Sequence, residues 1–216
     1  MRYNTVIFDL DGTLLDTLGD LRDSVNFALA NNGLPQRSTE EIRAFVGNGI
    51  RLLIERAVPP HTHIEVVDKC FADFKDHYKS NSANLTKPYD GVIDLLKCLS
   101  AEGVKIAVVS NKADFAVKIL VEEYFKGLLD CAYGEREGVP RKPAPDSVFA
   151  AIEEMSGDID KAVYIGDSEV DVETAKNAHL PCIAVTWGFR DKSVLESLEP
   201  EYIIDVPQDA LRIILN

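Results

Sequence analysis

A short apolar run that ends in two acids sets the limits on this fold. Thr5-Val6-Ile7-Phe8 is β-branched and aromatic, the pattern of a buried strand. Asp9 and Asp11 follow directly, two residues apart, and then Gly12 and Thr13. Unpaired buried charge is expensive, so a strand end carrying two carboxylates calls for a cation. A hard divalent metal, with a reaction beside it, meets that need. Gly12 lets the backbone approach a ligand closely, and Thr13 adds a hydroxyl. The plainer alternative is a strand followed by an acidic turn.

Charge narrows the partners. The 216 residues carry 23 Lys and Arg against 36 Asp and Glu, a net charge of -13. Binding to a phosphate backbone needs clustered positive charge, so nucleic acid is excluded as a partner. A small phosphorylated metabolite remains compatible, provided positive charge is concentrated in one pocket. No segment has the apolar length that spans a bilayer, and no signal peptide is visible, so no membrane association and a cytoplasmic location are expected. Cys70, Cys98, Cys131 and Cys182 are far apart and form no C-x-x-C, which predicts buried free thiols rather than disulfides or zinc ligands. Monomer and homodimer are both open.

The order of elements gives the fold class. Helical spacing over residues 17–32 stops at Gly33 and Pro35, and Ser38 with Glu41 has capping-box spacing for a second helix. That helix breaks at Gly47-Asn48-Gly49; a third runs from Ile50 to about Val58. A fourth covers Ile64 to about Ser80, with Val67, Phe71, Phe74 and Tyr78 on one face. From residue 104 onward, apolar strands alternate with helices: 104–109, near 131–133, 162–165, 182–185 and 202–204. Near-continuous apolar strands between helices imply an α/β fold, a doubly wound, Rossmann-like parallel sheet. The first strand meets its neighbours only after the helical block. The expected division is therefore an α/β core of residues 1–15 and 85–216 with an inserted all-α cap of residues 16–84. Ligands bind beyond the C-terminal ends of such strands, where a cap serves as a lid.

Polar residues gather at those strand ends. Ser110-Asn111-Lys112 follows Val108-Val109, and Gly166-Asp167-Ser168 with Asp171 follows Tyr164-Ile165. Lys142 sits in Arg141-Lys142-Pro143-Ala144-Pro145-Asp146, where two prolines stiffen the loop. In this order the four motifs resemble the haloacid dehalogenase-like superfamily. The helical insertion and Val46-Gly47-Asn48-Gly49 make the chain similar to its phosphoglycolate phosphatase-like branch.

The resemblance implies roles. Asp9 is the expected nucleophile, forming an aspartyl-phosphate, and Asp11 the general acid and then base. Mg2+ is the expected cofactor, held by Asp9, the Asp11 carbonyl and Asp167, with Asp171 binding its waters or orienting a neighbour. Ser110 is expected on a phosphoryl oxygen, with Asn111, Gly12 and Thr13 nearby, and Lys142 against the transition-state charge. Gly47, Asn48, Gly49 and Arg51 are either a substrate-specificity turn or a simple helix break. Trp187-Gly188-Phe189 reads as core or rim packing. The implied activity is phosphatase action on a small metabolite, 2-phosphoglycolate being the named candidate. Asp11 favours this over halide displacement, which needs no protonated leaving group. A sugar phosphomutase similar to β-phosphoglucomutase, a pyrophosphatase or nucleotidase of the same fold, and a non-catalytic binding protein are the alternatives. Thr13 after Asp-Gly favours the phosphatase.

Overall fold

The structure, a computed structural model, describes all residues from Met1 to Asn216. The chain forms two compact units, Met1–Leu15 with Pro88–Asn216, and Asp16–Lys87. Strand β1 (Thr5–Phe8) opens the first unit. The connecting segments β2 (Leu15–Asp16) and β3 (Lys87–Pro88) pair as a two-stranded ribbon. No helix is long and apolar enough to cross a membrane.

The second unit is all helical. It contains α1 (Leu18–Asn31), α2 (Thr39–Phe45), α3 (Ile50–Ala57) and α4 (Ile64–Asn81). Gly33, at φ 67°, ends α1 as its amide returns to the Ala30 carbonyl, while Ser38 and Glu41 close a full capping box on α2. Val25, Ala28 and Leu29 of α1 are buried, as are Val67, Cys70, Phe74 and Tyr78 of α4. Cys70 is buried, as expected, whereas Phe71 is only half-buried, with the guanidinium of Arg51 5.7 Å from its ring centroid. Of the other thiols, Cys182 is buried, Cys131 half-buried and Cys98 exposed; all are free. Burial at Cys98 fails because its helical position faces away from the apolar stripe of Leu95, Leu96 and Leu99.

The first unit continues with α5 (Val92–Ala101), β4 (Lys105–Ala113), α6 (Asp114–Tyr124), β5 (Cys131–Glu135) and α7 (Asp146–Glu154). It ends with β6 (Ala162–Gly166), α8 (Glu169–Asn177), β7 (Cys182–Val185), α9 (Lys192–Ser197), β8 (Tyr202–Ile204) and α10 (Pro207–Leu215). Six parallel strands lie in the order β5-β4-β1-β6-β7-β8. Alternate residues face opposite layers. Val6, Phe8, Ile106, Val108, Val163 and Ile165 pack with α5, α6 and α10, whereas Ile7, Ala107, Val109 and Tyr164 pack with α7 and α8. Both faces are covered, as continuous apolar strands require. One strand runs further than its apolar run predicts. β4 continues through Ser110, Asn111 and Lys112 to Ala113, with a register shift against β5 after Val109. Its polar residues are therefore held in the sheet rather than in a loop.

In the helical unit, Asp20 at the start of α1 is 2% exposed and binds the far end of the segment. Its carboxylate accepts from the Leu85 amide (3.0 Å), the Thr86 amide (2.8 Å) and the Thr86 hydroxyl (2.7 Å). Asp20→Ala removes the one carboxylate that these three donors share. It should lower stability by about 2 kcal/mol in urea titration and remove the hydrogen-exchange protection of the Leu85 and Thr86 amides.

Candidate active site

Strand order fixes where the site lies. From β1 the chain builds outward on one side through β4 and β5, then returns to β6, β7 and β8 on the other. The tips of β1, β4 and β6 border the crevice where the connections diverge, the general ligand position of such sheets. The Asp9 amide still donates to the Ile165 carbonyl, at 2.9 Å, so the first acid is held by the ladder itself.

A buried lysine gathers the acids. Lys142 has a side chain 3% exposed, and its peptide bond to Pro143 is cis. Its Nζ donates to Asp9 Oδ1 (2.7 Å), Asp171 Oδ1 (2.8 Å) and the Tyr164 hydroxyl (2.9 Å). Burial alone would lower the pKa of this ammonium, but the Asp171 and Asp9 carboxylates raise it well above its ordinary value. It stays charged. Burial pushes the Asp9 carboxyl up to about 7; Lys142 opposes the shift, and Asp171 and Asp11 add to it. Asp167 is likewise held well above the usual carboxylate range by burial, then by Asp171 and Asp9.

Asp171 sits at the third position of α8 and is fully buried. Besides Lys142, it accepts from the amides of Asp167 (3.2 Å) and Ser168 (3.1 Å) and from the Ser168 hydroxyl (2.6 Å). It organises the turn that carries Asp167. Asp167 accepts from Thr13 Oγ1 (3.3 Å) and from the Phe189 amide (2.6 Å). The Trp187 indole donates to the Thr13 carbonyl at 3.0 Å. A Cβ on Gly188 would lie 2.3 Å from Asp167 Cβ and 2.4 Å from the Gly12 carbonyl oxygen, and one on Gly12, at φ +88°, 2.4 Å from Asp167 Oδ2. Only glycines permit this packing. Trp187-Gly188-Phe189 therefore does more than pack a rim: it fixes Asp167 and the Gly12-Thr13 turn.

The remaining sequence-predicted residues divide. Ser110 is 6% exposed at the end of the β4 run, its Oγ 3.3 Å from the Lys112 amide. Asn111 donates its side-chain amide to the Lys142 carbonyl, at 3.0 Å, and so braces the lysine loop. The Gly12 amide donates to Leu15 O at 2.9 Å, within its own turn. Asp11 receives Lys112 Nζ at 2.9 and 3.2 Å. Within the helical unit, Gly47 and Gly49 take φ 126° and 82°, and Asn48 accepts from Arg56 at 2.9 Å. Arg51 is paired with Glu55 at 2.6 Å and with Asp68 at 2.5 Å. Tyr164, Ser168 and the Phe189 amide went unread in the sequence. Tyr164 looks like one more apolar strand residue, and a backbone amide leaves no trace in composition.

The residues present fit a divalent cation. Asp9, Asp167 and Asp171 bring carboxylate oxygens within 4.8 Å of one another, all buried. Burial first, and then the neighbouring carboxylates, raise Asp9 and Asp167, and a doubly charged ion would relieve that accumulation of negative charge.

The family model of haloacid dehalogenase-like hydrolases matches residues 6–185. A phosphoglycolate phosphatase of Agrobacterium fabrum is 35% identical over 207 residues, covering 92% of this chain and 87% of that one. One from Aquifex aeolicus is 30% identical, over 98% of this chain and 96% of its own. A solved structure from Lactobacillus delbrueckii subsp. bulgaricus is 36% identical and superposes with a TM-score of 0.94 over 99% of both chains. The chain thus belongs to the haloacid dehalogenase-like hydrolases, in their phosphoglycolate phosphatase-like branch, and is a hydrolase of phosphoric monoesters.

Proposed function

We propose that this protein is an Mg2+-dependent phosphatase of a small phosphorylated metabolite, with 2-phosphoglycolate as the first substrate to try, acting through an aspartyl-phosphate on Asp9. The observation that carries the reading is the buried Lys142 ammonium held between Asp9 and Asp171 at the sheet's crevice. A lysine so placed keeps its charge beside a carboxylate nucleophile, where the charge of a transferring phosphoryl group develops. The relatives named as phosphoglycolate phosphatases support the candidate substrate.

In this reading an Asp9 carboxylate oxygen attacks phosphorus, and the ester P–O bond breaks. Asp11 gives its proton to the departing oxygen, then takes one from the water that attacks the phospho-enzyme. That second attack breaks the bond between phosphorus and Asp9 and releases phosphate. Ser110 donates to a phosphoryl oxygen, and Lys142 balances the equatorial oxygens. Asp9, Asp167 and the Asp11 carbonyl would hold Mg2+, with Asp171 orienting Asp167. When bound, the ion supplies positive charge against the phosphoryl oxygens and Asp9.

Three measurements test this. In a phosphate-release screen with Mg2+, Asp9→Asn should lose on the order of 10^4-fold or more in kcat while remaining folded. A folded variant with normal turnover rules out the covalent route. Protons compete with the ion for Asp9, whose carboxyl is raised to about 7 in the ion-free protein. Calorimetric Mg2+ affinity should therefore weaken as pH falls below about 7 and level off above it, with protons released on binding. Gly188→Ala should weaken Mg2+ binding, measured on the protein without substrate, about tenfold or more, because the added Cβ displaces Asp167.

A further inference from the structure

We propose that Lys112 is the positioning residue of Asp11, aiming its carboxylate at the departing oxygen. The proposal rests on the phosphatase reading for the role of Asp11. It rests on this structure for the geometry.

Lys112 lies near the end of β4, two residues beyond Ser110, where the strand continues past its apolar run. Its side chain is only 2% exposed. Its Nζ reaches across to β1's tip and meets both Asp11 oxygens, at 2.9 and 3.2 Å. Burying an ammonium is costly, and a buried ion pair is seldom more stable than apolar side chains of the same volume. Stability is thus a poor reason for a lysine here; geometry is a better one. Asp11 is on a turn, with a side chain 15% exposed, and staggered rotamers would compete for it. A general acid works only when its oxygen is within hydrogen-bond reach of the atom it protonates. Lys112 holds both oxygens at once and removes that freedom.

The arrangement also separates two carboxylates that stand two residues apart and repel each other. Each has its own lysine: Lys142 on Asp9, from the loop before α7, and Lys112 on Asp11, from β4. The nucleophile and the acid are thereby fixed independently. Burial of Lys112 among β4 neighbours that are themselves buried, Ser110 and Asn111, keeps its stem from moving.

The test compares Lys112→Met with the unaltered protein on two esters in the presence of Mg2+. 4-Nitrophenyl phosphate has a leaving group that departs without a proton, and 2-phosphoglycolate has one that needs it. kcat/KM reads the first chemical step for both. The variant should lose about 10- to 100-fold on the alkyl ester and about threefold or less on the aryl ester. In an Asp11→Asn background, Lys112→Met should add no further loss. A crystal structure of Lys112→Met should show the Asp11 carboxylate turned to another rotamer. Equal losses on the two esters, losses that multiply in the Asp11→Asn background, or an unmoved carboxylate overturn the proposal. If Lys112→Met does not fold, Lys112→Gln is read by the same outcomes. An unaltered protein that releases phosphate from neither ester would refute the phosphatase reading instead. The crystal structure would still decide whether Lys112 places Asp11.

Discussion

One ammonium group with almost no access to water holds the site together. Lys142 contacts Asp9 at the end of β1, Tyr164 within β6 and Asp171 at the start of α8, all within 2.9 Å. Removing one partner of such a group leaves an uncompensated charge in a low-dielectric interior, and that is far worse than never having buried it. The three segments are therefore locked to the lysine and, through it, to one another. Asn111 extends the lock to β4 by donating its side-chain amide to the Lys142 carbonyl. The order of strands supplies the rest: β1 lies between β4 and β6, so their tips converge with no long loop needed.

Around this centre, backbone and glycine do what charge cannot. Asp167 is gripped by the Phe189 amide and lies against Gly12 and Gly188, where even one methyl group would collide. Asp171 accepts from two amides and a hydroxyl besides Lys142, so it serves chiefly to shape the turn from β6 into α8. An acid that is saturated with hydrogen bonds differs in kind from its neighbour Asp167, although four residues and the same side-chain type separate them in sequence. The placement of Asp167 then depends on segments remote in the chain, the loop after β7 above all.

Much of this was legible in the residues. The strands at 162–165, 182–185 and 202–204 were readable because each is a continuous apolar run between turn signals, and the structure has them at 162–166, 182–185 and 202–204. Asp9, Asp11, Ser110 and Asp167 stood out as polar residues following apolar strand runs, and Lys142 only as one member of the ordered set of four motifs. What escaped reading depended on contacts across the chain. Lys112 had no role in the sequence beyond closing the polar group after Val109, because β4 continues through it past its apolar run. Trp187-Gly188-Phe189 looks like packing because its acts are a ring N–H to Thr13 and an amide to Asp167, more than twenty residues away in the nearer case. Paired two-residue strands such as β2 and β3 carry no periodicity to detect. Phe71 was read onto the buried face because adjacent helical positions differ by only 100° of rotation, so a rim aromatic and the buried Cys70 beside it both fit one apolar stripe.

The charge of the whole chain, -13, conflicts with an anionic substrate only if charge is averaged over the molecule. At physiological ionic strength exposed charges are screened beyond about 8 Å, so distant surface acids hardly reach the crevice. Inside it the balance is local. Lys112 offsets Asp11, and Lys142 offsets one of the three buried carboxylates Asp9, Asp167 and Asp171. The remaining double negative charge matches one divalent cation. A surface of net charge -13 repels polyanions, while the crevice is governed by its own lysines and carboxylates.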